Sequence, residues 1–425
     1  MILLTGIGEL ATMAGDAPIG DDGYWEETGL IDDAAVLVDG AMIVAAGPRG
    51  KVEAEAAERG ACEVIDCGGR AVVPGFVDPH THPVFGGTRE HEFVMRLKGR
   101  PYTEIAAAGG GILSTVSSSR AASEAELAAC LRERADRFLQ LGTTTVEAKS
   151  GYGLETETEL RMLRVLDEVD RAHDLDLIPT FLGAHEVPAE WRHDRRGYLD
   201  LVVTEMLPAV QAQGIAQYCD VFCEKGVFEI EESRQVLVAG AEAGLGLRVH
   251  ADEIYPLGGA ELCAELGAAT ADHLVQISDA GIEALAESGT VAVLLPATSL
   301  LLRLERDAPA RRLIAAGARV ALATDFNPGT SWCQSLPLVI GLAAARLGMT
   351  PYEGLRAATR VAADSLGATE PAGGGECFGR IQAGARADLV VLDVPNHRHL
   401  AYQLRESPIA KVIKRGRVVQ ERSSC

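Results

Sequence analysis

The middle of this chain alternates between two periods. Short apolar runs such as Thr143-Thr144-Thr145-Val146-Glu147-Ala148 are followed by long Ala-, Leu-, Glu- and Arg-rich stretches with helical spacing, as from Glu155 to Ala172. Another such stretch runs from Glu124 to Leu141. Side chains repeat every second residue on a strand and about every 3.6 on a helix, so the pattern reads as strand then helix. A helix after each strand returns the chain to the starting edge, which makes consecutive strands parallel. Between about residues 74 and 370 there is room for eight such units, enough for a (β/α)8 barrel of ~250 residues. The stretch 200–245 does not divide cleanly into strand and helix.

Both ends of the chain read as β. Asp39-Gly40 is a type I′ hairpin signal between Ala35-Val36-Leu37-Val38 and Met42-Ile43-Val44-Ala45. Arg415-Gly416 plays the same part between Lys411-Val412-Ile413-Lys414 and Arg417-Val418-Val419, and Asp388–Asp393 is a further strand. Pro371-Ala372-Gly373-Gly374-Gly375 reads as a linker leaving the barrel. The expected fold is α/β: a (β/α)8 TIM barrel over 73–370, with a small β-sandwich domain formed by the N- and C-terminal segments, 1–72 and 371–425. The length of 425 residues suits that division.

A net charge of −22 argues against nucleic acid or an anionic membrane as partner, although a local arginine can still hold a small anion. The nine cysteines are odd in number and form no CxxC pair, which fits reduced thiols and a cytoplasmic location. Met1-Ile2-Leu3-Leu4 lacks the basic region and long apolar core of a signal peptide.

The chemistry concentrates at strand ends. In Pro74-Gly75-Phe76-Val77-Asp78-Pro79-His80-Thr81-His82, strand alternation points His80 and His82 to one side, where two neutral imidazoles can bind a divalent metal. An HxH alone is weak, and His397-Arg398-His399 is a second one, read as an exposed loop. Three later strand ends add weight. Leu247-Arg248-Val249-His250-Ala251-Asp252-Glu253 carries His250 and Glu253, Ala271-Asp272-His273-Leu274 carries His273, and Val320-Ala321-Leu322-Ala323-Thr324-Asp325 ends on a buried acid that needs a partner. Each could be structural by itself; together, at successive strand ends, they fit a hydrolytic site.

HxH, HxDE, a lone His and a strand ending in Asp resemble the amidohydrolase superfamily, and the set is similar to its mononuclear branch, as in cytosine deaminase. That resemblance implies one divalent metal held by His80, His82, His250 and Asp325, with Glu253 as proton shuttle. A binuclear alternative bridged by a modified lysine would use Lys149; Glu253 following His250 favours the mononuclear form. A metal so held lowers the pKa of water toward neutrality. Glu253 can carry the proton to the leaving nitrogen. His273 can polarise the substrate oxygen. Asp325 can also accept the water proton.

Five stretches resemble the imidazolonepropionase family more closely: Pro79–Arg89, Ala108–Val116, Lys149–Leu154, Phe181–Pro188 and Asp325–Thr330. The resemblance implies hydrolytic ring opening of 4-imidazolone-5-propanoate to N-formimidoyl-L-glutamate, the third step of histidine degradation to glutamate. It also implies zinc or iron as the metal, and a homodimer. Arg89 is the candidate cation for the propionate. Tyr152, His185, Glu253, Asn327, Gly329 and Thr330 are the other implied substrate contacts. The rivals are another amidohydrolase, either a cyclic-amide hydrolase or a heterocycle deaminase, and a non-catalytic barrel scaffold. Glu224 and Lys225 receive no role.

Overall fold

The hairpins expected at the two chain ends are present, and their tips meet. The structure, a computed structural model, describes residues 1–60, 63–100, 110–370 and 375–422; the linker residues 371–374 and the Ala108-Gly109 pair fall outside these. β1 (Ile2–Ala11), β2 (Leu30–Asp39) and β3 (Met42–Pro48) form an antiparallel meander. β4 (Glu63–Asp66) and β5 (Val72–Pro74) pair with β1 in parallel.

Next come the eight barrel strands: β6 (Phe76–Asp78), β7 (Thr143–Lys149), β8 (Asp176–Ala184), β9 (Tyr218–Cys223), β10 (Gly246–Ala251), β11 (Thr270–His273), β12 (Val291–Leu294) and β13 (Val320–Leu322). They pair in sequence order, all parallel. The chain then rejoins the first sheet through β14 (Leu389–Leu392), β15 (Ile409–Lys414) and β16 (Arg417–Glu421), with β14 antiparallel to β5.

The terminal sheet is mixed and curls on itself. Leu4, Val36, Val38 and Ile43 from the N-terminal strands bury one face against Leu389, Val391 and Ile413 from the C-terminal ones. The hairpin tips lie so close that a Cβ on Gly416 would stand 2.0 Å from the Gly40 carbonyl oxygen. The positive φ of Gly40 (56°) and Gly416 (73°) supplies the left-handed turns that hairpins require.

The barrel helices follow from amphipathic spacing and capping. Ser123 and Glu126 form a reciprocal capping box at the head of the helix Glu124–Gln140, which buries Leu127, Leu131, Ala135 and Phe138 against the barrel. The ambiguous stretch 200–245 holds the end of a helix from Arg195 with a π-turn at Val202–Met206 just before Pro208, then β9, then the helix Ile230–Glu242. Proline cannot donate into the ladder, so the helical pattern reads as interrupted although the chain stays helical. The barrel closes between β6 and β13 at their C-terminal ends. Asp325 N donates to the His80 carbonyl at 3.1 Å, and His82 N donates to the Phe326 carbonyl at 2.9 Å.

One sequence expectation is corrected. His397 is not in an exposed loop but fully buried, with its Nδ1 2.8 Å from Glu9 Oε1 and its backbone N–H donating to the same oxygen at 2.7 Å. The motif runs from a turn into the helix His399–Tyr402, where strand alternation does not apply.

Candidate active site

His80 and His82 extend from the end of β6 with their side chains on one side, as alternation requires. Asp78 fixes that strand end by accepting from Thr324 N at 3.1 Å and Thr324 Oγ1 at 2.6 Å, which locks β6 to β13. His250 arrives from β10. Among the described residues, His80, His82 and His250 offer ligand atoms within 4.8 Å of one another. His82 Nε2 and His250 Nε2 face each other at 3.4 Å. Asp325 Oδ1 stands 3.7 Å from His80 Nε2 and 3.5 Å from His82 Nε2, while its other oxygen accepts from Thr298 Oγ1 at 2.6 Å.

All four side chains are buried, and His80 Nε2 has no hydrogen-bond partner. Burial, with Lys149 next, holds His80 well below the ordinary imidazole range, and burial with His185 does the same for His82. Three imidazoles with converging nitrogens, two of them held neutral, and a carboxylate are the donor set that a divalent cation needs.

Above this cluster lies a cavity of about 420 Å³ that opens at the C-terminal face of the barrel. Its walls include His82, Arg89, Tyr152, His185, His250, Glu253, His273, Asp325, Asn327 and Thr330. His80 lies beneath it, and Gly329 behind Arg89. Glu253 is buried, and burial followed by the Asp325 charge pushes its carboxyl up to about 8. His273 Nδ1 is 3.6 Å from Glu253 Oε1, and its Nε2 has no hydrogen-bond partner.

His185 stacks on His82 with ring centroids 5.1 Å apart. Its Nδ1 donates to the Gly151 carbonyl at 2.8 Å, which leaves Nε2 as an acceptor. Tyr152 lies beside it, with rings 5.3 Å apart. Arg89 is buried and paired with Glu92 through Nε at 3.0 Å and Nη2 at 2.9 Å. Its guanidinium rests on Gly329, where a Cβ would come within 2.2 Å of Nη1. The Asn327–Thr330 turn is self-contained: Asn327 Oδ1 accepts from Gly329 N at 2.8 Å and Thr330 N at 2.7 Å, and Nδ2 donates to Thr330 Oγ1 at 2.7 Å.

The profile of the amidohydrolase family matches residues 71–419. The chain belongs to the amidohydrolase family. An imidazolonepropionase from Symbiobacterium thermophilum is 48% identical, covering 98% of this chain and 97% of its own length. One from Geobacillus kaustophilus is 47% identical, covering 97% and 96% respectively. Among solved structures, a 5-methylcytosine deaminase from Klebsiella pneumoniae matches 100% of this chain and 99% of its own with a TM-score of 0.70 at 17% identity, a likeness of fold.

Beneath the amidohydrolase histidines lies a charged layer that sequence reasoning missed. His80 Nδ1 is 2.6 Å from Asp272 Oδ2, and His250 Nδ1 is 3.2 Å from Asp220 Oδ1. Each carboxylate holds its ring with Nδ1 protonated and Nε2 turned to the site. Lys149 Nζ, fully buried, sits 2.7 Å from Asp220 Oδ2 and 2.8 Å from Glu147 Oε1. Arg248 Nε lies 3.8 Å from Glu147, and its Nη2 donates to the Pro79 carbonyl. Burial opposes the Lys149 charge, but Asp220 and Glu147 outweigh it and raise its pKa. A lysine gripped as an ammonium by two carboxylates is a poor candidate for a carbamate bridge, which needs a neutral amine and adds a further negative charge.

Proposed function

We propose that this amidohydrolase opens the ring of 4-imidazolone-5-propanoate by hydrolysis, giving N-formimidoyl-L-glutamate, with one divalent ion, zinc or iron, held by His80, His82, His250 and Asp325. The observation that carries the substrate is the 48% identity to an imidazolonepropionase across 98% of this chain. A divalent ion in that set supplies Lewis acidity and lowers the pKa of water toward neutrality.

The chain's own residues do the rest. Glu253, buried at the cavity wall beside His273, takes the proton from the attacking water and delivers it to the ring nitrogen as the C–N bond breaks. His273 donates toward the oxygen of the ring carbonyl as charge develops. Arg89 pairs with the propionate, Tyr152 and His185 wall the ring, and the Asn327, Gly329 and Thr330 turn meets the opposite side. All of these belong to the barrel unit 73–370, with the terminal segments 1–72 and 371–425 as its second unit. In this reading the enzyme works as a cytoplasmic homodimer on a small anionic substrate, without nucleic acid or membrane. Among the described residues, no helix is long and apolar enough to cross a bilayer.

The test is the ultraviolet absorbance decay of freshly generated imidazolone propionate, corrected for its spontaneous decay, before and after chelation. Acceleration that chelation abolishes, with formimidoyl-glutamate as product, supports the proposal. No acceleration by metal-replete protein sinks the substrate and leaves the cyclic-amide hydrolases and heterocycle deaminases as the classes to assay.

A further inference from the structure

Glu224 and Lys225 close β9 and take no part in the chemistry above. Glu224 is buried, and its carboxylate accepts three backbone N–H groups. Oε1 takes Lys225 N at 2.7 Å; Oε2 takes Ile254 N at 2.9 Å and Tyr255 N at 3.3 Å. The last two belong to the loop after β10, immediately beyond Glu253. Lys225 adds a second hold, its Nζ 4.9 Å from the centroid of the Tyr255 ring.

On the other side of Glu253, Asp252 is equally constrained. It stands in the left-handed region at φ 51°. Its carboxylate caps the next helix, accepting from Leu257 N at 2.9 Å, Gly258 N at 3.0 Å, Gly259 N at 3.2 Å and Ala260 N at 3.0 Å. The backbone is thus held by carboxylates at 252 and at 254–255, with Glu253 between them. Apolar packing does not provide this hold, since Ile254 and Tyr255 are 43% and 46% exposed.

We infer that Glu224 is the positioning residue for Glu253: by gripping the N–H groups of Ile254 and Tyr255 it keeps the Glu253 carboxyl aimed into the cavity beside His273. This rests on the ring-opening function proposed above. The hold on Ile254 and Tyr255 needs an acceptor of the right length, not a charge, because an amide oxygen can receive the same two N–H groups while the N–H of the exposed Lys225 turns to water. A proton-transfer group displaced by about 1 Å loses on the order of 100-fold in rate, while ground-state binding of the substrate elsewhere is little affected.

The experiment compares wild-type enzyme with Glu224→Ala and Glu224→Gln, each metal-replete, for kcat and KM on imidazolone propionate. Amide hydrogen exchange at Ile254 and Tyr255 is measured in parallel. Glu224→Ala is expected to lose about 100-fold in kcat with KM within about threefold, unchanged metal content and faster exchange at the two amides. Glu224→Gln is expected to restore kcat to within about fivefold of wild type and to protect both amides again. A folded Glu224→Ala enzyme with kcat within about threefold of wild type overturns the inference. So does a folded, metal-replete Glu224→Gln enzyme slowed by more than about 30-fold, and that arm decides alone if the alanine variant does not fold. Wild-type protein that fails to accelerate the decay overturns the functional proposal instead, so the two failures are distinct.

Discussion

The pairs His80–Asp272 and His250–Asp220 look alike, yet the structure separates what their loss should do. Asp272 Oδ2 is 2.6 Å from His80 Nδ1, and both side chains are fully buried. Asp272→Asn keeps an oxygen that can accept the Nδ1 proton, so the ring keeps its tautomer but loses the charge that makes it a strong donor. Loss of such an outer partner weakens metal affinity by about 10- to 100-fold, or roughly 1.4–2.7 kcal/mol. Asp220 has a second duty: its Oδ2 is 2.7 Å from the Lys149 ammonium. Asp220→Asn therefore weakens the metal and also strips one of two carboxylates from a buried cation. Breaking a buried pair from one side costs about 3–5 kcal/mol. The assay is a competitive chelator titration for affinity, with denaturant unfolding of the chelated protein for stability. Asp272→Asn should move the first far more than the second; Asp220→Asn should move both. Equal metal affinity in wild type and Asp272→Asn, or a chelated Asp220→Asn protein as stable as wild type, would refute the division of roles.

Glu253→Gln should lower kcat by about 10²- to 10⁴-fold with metal content unchanged, measured by absorbance decay and metal analysis. The same variant reports on pH. The Glu253 carboxyl is raised from 4.5 to about 8 by burial, so the folded protein resists its ionisation. Its stabilising contribution is complete below about pH 4.5 and disappears as pH rises through about 8. Thermal unfolding of chelated proteins should show Glu253→Gln gaining on wild type between those limits, and a constant difference would count against the buried carboxyl. Gly329→Ala places a methyl 2.2 Å from Arg89 Nη1 and should raise KM with a smaller change in kcat, read from steady-state kinetics. Lys414 is buried, 2.6 Å from Asp176 at the start of β8 and 2.8 Å from Asp388 at the edge of β14. Lys414→Met should cost less in denaturant unfolding than the about 3–5 kcal/mol of a fully broken buried pair, because Arg386 still meets both carboxylates, while leaving the metal in place.

Much of this site was legible because strand geometry is simple. His80 and His82 two apart, His250 at the end of an apolar run and Asp325 at the end of another all follow from alternation. Legibility failed where alternation ends. His273 and Leu274 have φ of 78° and 60°, so the chain turns left-handed and both neighbours Asp272 and His273 reach the site. No two-residue repeat could foresee that, and Asp272 passed as an ordinary strand residue. The Lys149–Asp220 pair was equally hidden, since it joins β7 to β9 past the intervening β8. Charged residues inside and just after β9 made its strand pattern hard to read for the same reason: Asp220 and Glu224 are there to serve elements distant in sequence. Arg89 was placed near the site, but its partner Glu92 comes from the first turn of the helix Glu90–Leu97, and only the fold shows that the two are buried together.

The charges under the histidines also bear on what the cluster can hold. Glu147, Asp220 and Asp272 supply three carboxylates, and Lys149 and Arg248 two cations, leaving one net negative charge in a layer with no exposure to solvent. Asp325 adds a second. Carboxylates in so dry a place are costly to ionise: burial pushes the Asp325 carboxyl up to about 6, that of Asp78 to about 7 and that of Glu253 to about 8. A proton can relieve part of that cost. A cation held where the ring nitrogens of His80, His82 and His250 approach Asp325 would relieve more of it. The buried carboxylates that Lys149 and Arg248 do not match therefore favour a cation beside the histidines as much as the ligands that would touch it do.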